Sequence, residues 1–148
     1  MQKRIIPVLT LDNGSMIKVI GFKEKLYLGD PLNIVKMFND LEVDELILID
    51  IGATKNNKIN FELLRNIASE AFIPLTYGGG IKSKGDIQKL MNIGYERFVI
   101  NSKFYEFDSK FINDLKNEFG SQSIVLSVDV KKDSLGQFGV YNYLENNY

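Results

Sequence analysis

The sequence contains neither cysteine nor histidine among its 148 residues. The absence of cysteine excludes disulfides, thiolate metal sites and a cysteine nucleophile. The absence of histidine removes the commonest general base, the commonest metal ligand and every serine–histidine catalytic arrangement. Any acid–base chemistry must therefore use aspartate, glutamate, lysine or tyrosine.

The chain also lacks a strong net charge and a long hydrophobic run. Its formal net charge is −1 and its pI is near 5.5, which gives no general attraction for nucleic acid or an anionic membrane. No apolar run approaches the length of a membrane span, and the run after Arg4 is too short for a signal peptide. We therefore expect a cytoplasmic protein that has neither nucleic acid nor a membrane as a partner, and in which any anion site is local.

The residues that are present have the composition of a globular protein, 45% hydrophobic and 25% charged. At this length we expect a single domain over residues 1–148. Strand and helix patterns alternate along the chain, which is typical of right-handed βα units in a parallel sheet. Predicted strands cover residues 5–9, 16–22, 46–51, 74–77, 98–102, 123–129 and 137–143, and predicted helices cover 31–41, 60–71, 83–93 and 108–119. Residues 23–27, 54–58 and 131–136 are predicted to be loops or turns.

Two short motifs predict how local elements begin. Asp12-Asn13-Gly14 is a tight-turn signal that predicts a hairpin between the first two strands. Asp30 suits the N-cap of the first helix, and Pro31 suits its first helical position. Apolar residues then follow at a spacing that predicts one inward face, formed by Leu32, Val35, Met37, Phe38 and Leu41.

The most informative stretch is a short apolar run, residues 73–77, that ends in Gly78, Gly79 and Gly80. Because glycine has no Cβ, backbone N–H groups here can approach an anion, and Ser83 can cap a following helix whose positive end faces the same place. These features outline a phosphate-binding loop. An ordinary turn from strand to helix fits the three glycines equally well, and both interpretations stay open on this motif alone.

Small or polar residues lie at the carboxyl ends of the predicted parallel strands, where ligands bind in both open sheets and barrels. A site for a phosphorylated ligand needs residues of this kind. The carboxylates end different strands without forming a recognisable ligand cluster, so no metal is implied, and we expect no cofactor. The strand-end residues are Thr10, Asp50, Gly78, Gly79, Gly80, Asn101, Ser102 and Asp129.

With these residues placed, the chain resembles the cyclase subunit of imidazole glycerol phosphate synthase, a (β/α)8 TIM barrel of histidine biosynthesis. The resemblance covers nearly all of the chain, which corresponds to roughly three-fifths of a barrel of about 250 residues. It implies an α/β fold with only the first five βα-type strands of the barrel, an incomplete or half barrel. The motifs that carry it are Lys3-Arg4-Ile5-Ile6-Pro7, Asp12-Asn13-Gly14 with Lys18, Gly29-Asp30-Pro31, Asp44-Glu45-Leu46 leading to Asp50, Gly78-Gly79-Gly80-Ile81, Asn101, and Gly120-Ser121-Gln122 leading to Asp129.

The resemblance implies two catalytic positions, at the ends of the first and fifth strands of the barrel. Cyclases have a carboxylate at each, and the two act as acid and base. The fifth-strand carboxylate is present as Asp129, whereas Thr10 occupies the first-strand position. A hydroxyl with a pKa far above neutrality cannot replace a carboxylate that exchanges a proton near pH 7, and we do not expect Asp12, in the turn, to substitute for it.

The family's phosphate and active-site residues are better preserved. Gly80, within the triple glycine, corresponds to one phosphate site together with Asn101 and Ser102. Lys18 and Asp50 correspond to residues near the mouth of the active site. Taken singly, Asp50 fits an N-cap or a carboxylate that bonds its own loop equally well, and Lys18 fits a solvated strand lysine.

The resemblance also implies a partner, a glutaminase subunit that docks at the amino-terminal face of the barrel and delivers ammonia. A ring of alternating charges guards the ammonia entrance in the family, and Arg4, Glu45 and Arg97 correspond to three of its members. Each lies at the start of an apolar strand. Taken singly, each also fits a solvated or salt-bridged strand start.

Several functions remain open at this stage. The replacement at Thr10 favours a paralogue that works with an amidotransferase in surface-sugar biosynthesis and binds a phosphorylated or nucleotide-linked sugar. The alternatives are a fragment of the histidine-pathway cyclase, a truncated remnant, and a non-catalytic half barrel that binds phosphate and forms homo-oligomers through open strand edges.

Overall fold

A computed structural model describes residues 3–21, 23–101 and 109–142 of the chain. It divides into two units, Met1–Phe98 and Val99–Tyr148. Among the described residues, no helix combines the length and the hydropathy needed to cross a membrane.

The first unit is organised around a sheet whose strands follow the order β3-β2-β1-β4-β5-β6. Strand β4 pairs in parallel with β1 on one side and with β5 on the other, while β1, β2 and β3 form an antiparallel meander. The strands are β1 (Val8–Asp12), β2 (Ser15–Ile20), β3 (Glu24–Gly29), β4 (Leu46–Asp50), β5 (Leu75–Gly78) and β6 (Tyr95–Ile100). The parallel α/β arrangement that the alternating pattern predicts is therefore confirmed, while a closed or half barrel and a single domain stay predictions.

The hairpin between β1 and β2 forms at the predicted turn. Asp12 lies opposite Ser15, and the two residues between them, Asn13 and Gly14, both have positive φ angles, of 48° and 84°. A two-residue turn of this kind has the twist that joins antiparallel strands. The hairpin also shows that β1 continues to Asp12, three residues beyond the predicted end at residue 9.

Strand β3 (Glu24–Gly29) lies largely where the sequence predicts a loop, so that prediction is wrong. Five of its six residues are exposed, and the sequence therefore carries no alternation between buried and solvated side chains. Pairing with β2 stabilises the strand instead. Such pairing is a tertiary feature that a local hydrophobic pattern does not report.

Four helices accompany the sheet of this unit, and three of them begin close to where they are predicted. The Asp30 carboxylate accepts hydrogen bonds from the backbone N–H groups of Leu32 at 2.9 Å and Asn33 at 3.3 Å, which confirms the predicted N-cap. The helix that the sequence misses is α2, placed where a polar loop is predicted. The helices are α1 (Pro31–Asp40), α2 (Ile51–Asn56), α3 (Phe61–Glu70) and α4 (Lys84–Asn92).

The predicted inward face of α1 is only partly correct. Val35 is fully buried, and Leu32 and Phe38 are half-buried, but Met37 and Leu41 are exposed. Met37 lies two positions from Val35, which is about 200° around a helix of 3.6 residues per turn, and so it points away from the core. Leu41 follows the last helical residue as the C-cap.

The core of the first unit lies between the helices and one face of the sheet. Leu46 and Leu48 of β4 are buried on one face of that strand, where they pair with Leu75 and Tyr77 of β5. All four residues of β5 are buried. The intervening residues of β4 are half-buried. The helices fill the covered face with Val35, Leu64, Ile67, Ile87 and Leu90, each of which is fully buried.

The second unit begins in the last two residues of β6. It contains α5 (Ser109–Phe119), a short 3-10 helix (Ser121–Ser123), β7 (Ile124–Leu126), β8 (Val130–Lys132) and β9 (Phe138–Val140). Strands β8 and β9 form an antiparallel hairpin. Strand β7 is shorter than the predicted strand over 123–129. Strand β8 replaces the first part of the turn predicted over 131–136, because residues 130–132 pair with residues 138–140.

Candidate functional site

A buried carboxylate organises the amino-terminal edge of the first unit's sheet. Glu45, which directly precedes β4, is 2% exposed. Its Oε2 atom accepts hydrogen bonds from Arg4 Nη2 at 2.8 Å and from Arg97 Nη1 at 2.7 Å. Its Oε1 atom accepts a hydrogen bond from the hydroxyl of Thr76 in β5. A carboxylate out of water requires such partners, because an unpaired buried charge is very unfavourable.

The three residues predicted to form a charged ring are therefore brought together. Arg4 and Arg97 remain 46% and 38% exposed at their side chains, so the edge presents two cations to solvent around one buried anion. The residue that sequence reasoning missed is Thr76. Its only sequence signal is a hydroxyl within an otherwise apolar strand. A set of structural ion pairs and an ammonia entrance both fit this geometry, so the ammonia entrance stays a prediction.

A second buried carboxylate, Asp50, lies at the opposite edge, where β4 ends. Its Oδ1 atom accepts a hydrogen bond from the Ala53 N–H group at 2.8 Å, and its Oδ2 atom lies 3.4 Å from the Tyr77 hydroxyl, which donates to it. Burial raises the pKa of Asp50 above its ordinary value of 3.8, with a smaller contribution from the nearby charge of Asp12 that also raises it. The hydrogen bonds from Ala53 and Tyr77 act in the opposite direction.

Asp50 is thus the N-cap of α2. The helix-cap interpretation of the sequence accounts for the hydrogen bond from Ala53, and a role at the mouth of an active site stays a prediction. The Tyr77 hydroxyl is an unexpected neighbour. Burial, followed by the charge of Asp50, raises the pKa of Tyr77 far above its ordinary value, so this hydroxyl stays protonated and acts as a donor.

Asp12 is the last residue of β1, and Thr10, which was predicted to follow the strand, lies two residues before its end. Thr10 lies beside Ile49 of β4 in parallel register and is half-buried. Asp12, two residues further along, forms an ion pair with Lys25 of β3, and its Oδ1 atom accepts a hydrogen bond from the Asn13 side chain at 3.2 Å. The sequence did not indicate this ion pair, because it depends on strand β3, which was predicted to be a loop.

The triple glycine packs tightly against the turn that begins α2. Gly79 and Gly80 have φ angles of 124° and 67°, a region that side chains disfavour. A Cβ atom on Gly79 would overlap the carbonyl oxygen of Asp50, and one on Gly80 would lie 3.0 Å from that of Ala53. Close approach of two backbones therefore requires glycine here. Phosphate binding at Gly78, Gly79 and Gly80 stays a prediction.

The helix that follows the glycines is capped by its own residues. The Ser83 hydroxyl accepts a hydrogen bond from the Asp86 N–H group at 3.2 Å, which confirms the predicted cap. In return, Asp86 Oδ2 accepts hydrogen bonds from the N–H groups of Lys82 and Ser83 at 3.1 and 2.9 Å. A phosphate at this helix end would have to use other donors, because these two N–H groups already have a carboxylate partner.

In the second unit, a predicted phosphate residue contacts the predicted catalytic carboxylate. Asn101 Nδ2 lies 3.2 Å from Asp129 Oδ2 and 3.0 Å from the carbonyl oxygen of Ser127, and it donates to both. The two residues come together because Ser127 pairs with β6, its N–H group donating to the Ile100 carbonyl oxygen at 2.9 Å. Ser102 lies outside the described residues.

Two further features bear on the predicted site. Lys18 is exposed on β2, opposite Leu26 of β3, which is the solvated position that a strand lysine commonly adopts.

An open surface cleft of about 420 Å³ lies beside the start of α3. It is lined by Asn56, Lys58, Ile59, Asn60, Phe61 and Glu62, and none of the predicted site residues lines it.

Comparison with known proteins identifies the family. The model of the family described as "Histidine biosynthesis protein" matches residues 4–146. This chain belongs to that family. A relative from Campylobacter jejuni is 45% identical over 142 residues, and one from Pseudomonas aeruginosa is 41% identical over 143 residues; both are named "Putative imidazole glycerol phosphate synthase subunit hisF2". The match covers 96% of this chain in both cases, and 56% and 57% of the relatives.

A third member of the histidine biosynthesis family, from Helicobacter hepaticus, is named "Imidazole glycerol phosphate synthase subunit HisF". It is 40% identical over 142 residues, which cover 95% of this chain and 56% of the relative. The resemblance to the cyclase subunit is therefore confirmed at the level of the family. The chain spans somewhat more than half the length of the curated relatives it matches.

Proposed function

We propose that this protein is a cyclase-type subunit that works with a glutaminase, binds a phosphorylated or nucleotide-linked sugar in the cytoplasm and transfers glutamine-derived ammonia to it. The observation that supports ammonia delivery best is the cluster of Arg4, Glu45 and Arg97 at the amino-terminal edge. It places two partly exposed cations around one buried anion. A protein partner that covered this edge would contact the cations first.

One residue of β1 favours a substrate other than the histidine-pathway intermediate. Thr10 stands where the resemblance implies a catalytic carboxylate, and a neutral hydroxyl cannot take and return a proton near pH 7. Asp129 then positions the substrate, with Asn101 as its hydrogen-bonding neighbour at 3.2 Å. We therefore propose an amidotransferase-associated paralogue of surface-sugar biosynthesis. Its reaction retains ammonia addition and omits closure of the imidazole ring.

The partner can be tested with the intact protein that carries this sequence and the glutaminase subunit encoded in the same genome. We expect the two to form a complex in which glutamate is released from glutamine faster than by the glutaminase alone. The variant Arg97→Gln should weaken this stimulation at least tenfold. The variant Arg65→Gln is the matched control, because Arg65 is an exposed arginine on α3. Equal stimulation by both variants would contradict the role of the charged cluster.

The choice of substrate needs a separate assay, ammonia-dependent conversion of the histidine-pathway ribulosyl intermediate. We expect no turnover above background, because the first-strand carboxylate is replaced. Turnover at a rate typical of histidine-pathway cyclases would overturn the paralogue and favour a fragment of the histidine enzyme.

A second candidate function is that of a non-catalytic, phosphate-binding module that pairs with another copy through an open strand edge. Strand β3 ends the order of strands in the first unit's sheet, and its Leu26, Tyr27 and Leu28 side chains are all exposed. An apolar edge strand favours pairing with another chain. Light scattering decides this point, because a folded monomer at all concentrations would contradict it.

A further inference from the structure

The first unit carries an exposed apolar patch where α1 and α3 end. We call Phe72, Leu41 and Met37 the apolar patch, because each lies in the last turn of α1 or just beyond the end of α1 or α3, and they are 89%, 61% and 49% exposed. Both helices lead into strands, β4 and β5, so their C-terminal ends lie at the amino-terminal edge of the sheet. The cluster around Glu45 lies at the same edge, because Glu45 directly precedes β4 and its partner Thr76 belongs to the start of β5.

Phe72 is held in its exposed position by a side chain from the neighbouring helix. The backbone N–H group of Phe72 donates to Asn39 Oδ1 at 3.0 Å, while Asn39 Nδ2 donates to the carbonyl oxygen of Glu70 at 2.7 Å. The Asn39 amide thus uses its acceptor and its donor on the two sides of Ala71. An ion pair between Lys36 and Glu70 at 3.2 Å joins the same two helix ends.

This arrangement is unfavourable for an isolated protein and useful for an interface. Because the Phe72 side chain is exposed to water, it contributes no hydrophobic free energy to folding. Its backbone is nevertheless held in place by the hydrogen bond to Asn39. Because the backbone of Phe72 is already ordered in the free protein, less conformational entropy is lost on binding. Large side chains that are fixed in advance, and surrounded by polar groups, are typical of the residues that dominate the affinity of protein complexes.

We propose that Phe72 is the apolar anchor for the glutaminase subunit and that Asn39 is the residue that positions it. This inference rests on the proposed function, because it assigns an anchor to the partner that the charged cluster faces. The patch and the cluster share one edge, so a single partner can cover both. Phe72 supplies affinity as an apolar anchor. The positive charges of Arg4 and Arg97 favour one orientation of the bound glutaminase.

The test is a titration of the intact protein with the glutaminase subunit encoded in the same genome, followed by calorimetry. We expect Phe72→Ala to weaken binding at least tenfold, or about 1.4 kcal/mol, and Phe72→Leu to restore most of the affinity. Asn39→Ala keeps the aromatic ring but frees its backbone, so we expect a smaller loss with a less favourable binding entropy. The matched control is Tyr27→Ala, an aromatic residue of β3 that is 66% exposed, and it should stay within twofold of the unmodified protein.

The outcomes separate this inference from the proposed function. If the unmodified protein binds the glutaminase and Phe72→Ala binds equally well, the anchor is overturned and the proposed partner stands. If the unmodified protein does not bind, both are overturned. Sedimentation of the protein alone completes the test, because a dimer that Phe72→Ala dissociates would assign the patch to a second copy and overturn the glutaminase anchor. Thermal unfolding of each variant should match that of the unmodified protein, except for a small decrease with Asn39→Ala.

Discussion

The two edges of the first unit's sheet bury a carboxylate by different means. At the amino-terminal edge, Glu45 is held by two arginines and the hydroxyl of Thr76. At the carboxyl-terminal edge, Asp50 is held by a backbone N–H group and the hydroxyl of Tyr77. Cations neutralise the first carboxylate, whereas the second depends on neutral donors, and burial raises its pKa.

The difference indicates what each edge can do. Two partly exposed cations that share one buried carboxylate present a fixed charge pattern to a partner. A carboxylate held by neutral donors can gain a proton at a higher pH than usual, and here it also begins a helix. The amino-terminal edge is therefore suited to electrostatic recognition. At the carboxyl-terminal edge, Asp50 and the glycines serve close packing of two backbone segments. The predicted ligand site would then depend on the other strand ends at this edge.

The largest expected effect comes from removing both cations from the amino-terminal edge. The double variant Arg4→Met with Arg97→Met leaves Glu45 buried, with Thr76 as its one remaining partner within residues 3–21, 23–101 and 109–142. We expect a loss of roughly 4 kcal/mol in the free energy of unfolding, because an uncompensated buried charge is strongly destabilising. Urea denaturation at neutral pH measures it.

Lys36→Met is the matched control for the double variant. It removes an ion pair in which the lysine and the glutamate, Glu70, are 55% and 39% exposed, and such pairs contribute roughly 1 kcal/mol or less. A double-variant loss no larger than that of this control would contradict the importance of burial for the Glu45 cluster.

An intermediate effect is expected at the carboxyl-terminal edge from Gly79→Ala. The new Cβ atom would overlap the Asp50 carbonyl oxygen, at a φ angle of 124° that disfavours side chains. We expect a destabilisation of roughly 3 kcal/mol, from backbone strain and from displacement of the turn that begins α2. Denaturant unfolding of the purified variant provides the measurement.

Gly85→Ala is a suitable control for the glycine substitution. Gly85 lies within α4, and a Cβ atom there would meet only ordinary contacts, the nearest at 3.6 Å. Replacing a helical glycine by alanine should stabilise the protein by up to about 1 kcal/mol. If Gly79→Ala behaved in the same way, close packing of the two backbones would not be the reason for the glycine.

The smallest effect is expected from Asp50→Asn, because asparagine also caps helices well. Since the pKa of Asp50 is raised in the folded protein, folding favours the protonated form. Its contribution to stability is therefore present below the ordinary value of 3.8 and is lost as the pH rises through the raised pKa. Asparagine does not titrate, so the stability of the variant relative to the unmodified protein should increase with pH. Unfolding measured from about pH 3.5 to about pH 7 tests this sign, and a constant difference would contradict it.

Local sequence patterns predicted the parallel α/β arrangement because its core strands are apolar and its helices start with recognisable caps. Asp30 and Ser83 were identified as caps, and both accept the expected backbone hydrogen bonds. The two elements that local patterns missed share a cause. Strand β3 and helix α2 carry little hydrophobic periodicity, and they form because β2 pairs with the first and Asp50 caps the second.

The candidate site likewise combines residues that local patterns predict with contacts that they do not. The sequence alone supplied Glu45, Arg4 and Arg97 as charged strand starts, and Asn101 and Asp129 as polar strand ends. It did not indicate Thr76 as a neighbour of Glu45, Tyr77 as a neighbour of Asp50, or Lys25 as a neighbour of Asp12. Those contacts join residues that are far apart along the chain, and they depend on the register of the strands.

By itself, the sequence determined the class of fold, the family and the chemistry available, since the lack of cysteine and histidine restricts that chemistry to carboxylates, hydroxyls and lysines. The tertiary structure alone decided how each charge is used. Strand pairing brings two arginines onto Glu45 across 41 and 52 residues of chain, and it places Asp50 among neutral donors. Local patterns record whether a residue is apolar or polar, but the electrostatic environment of a buried group depends on neighbours that only folding brings together.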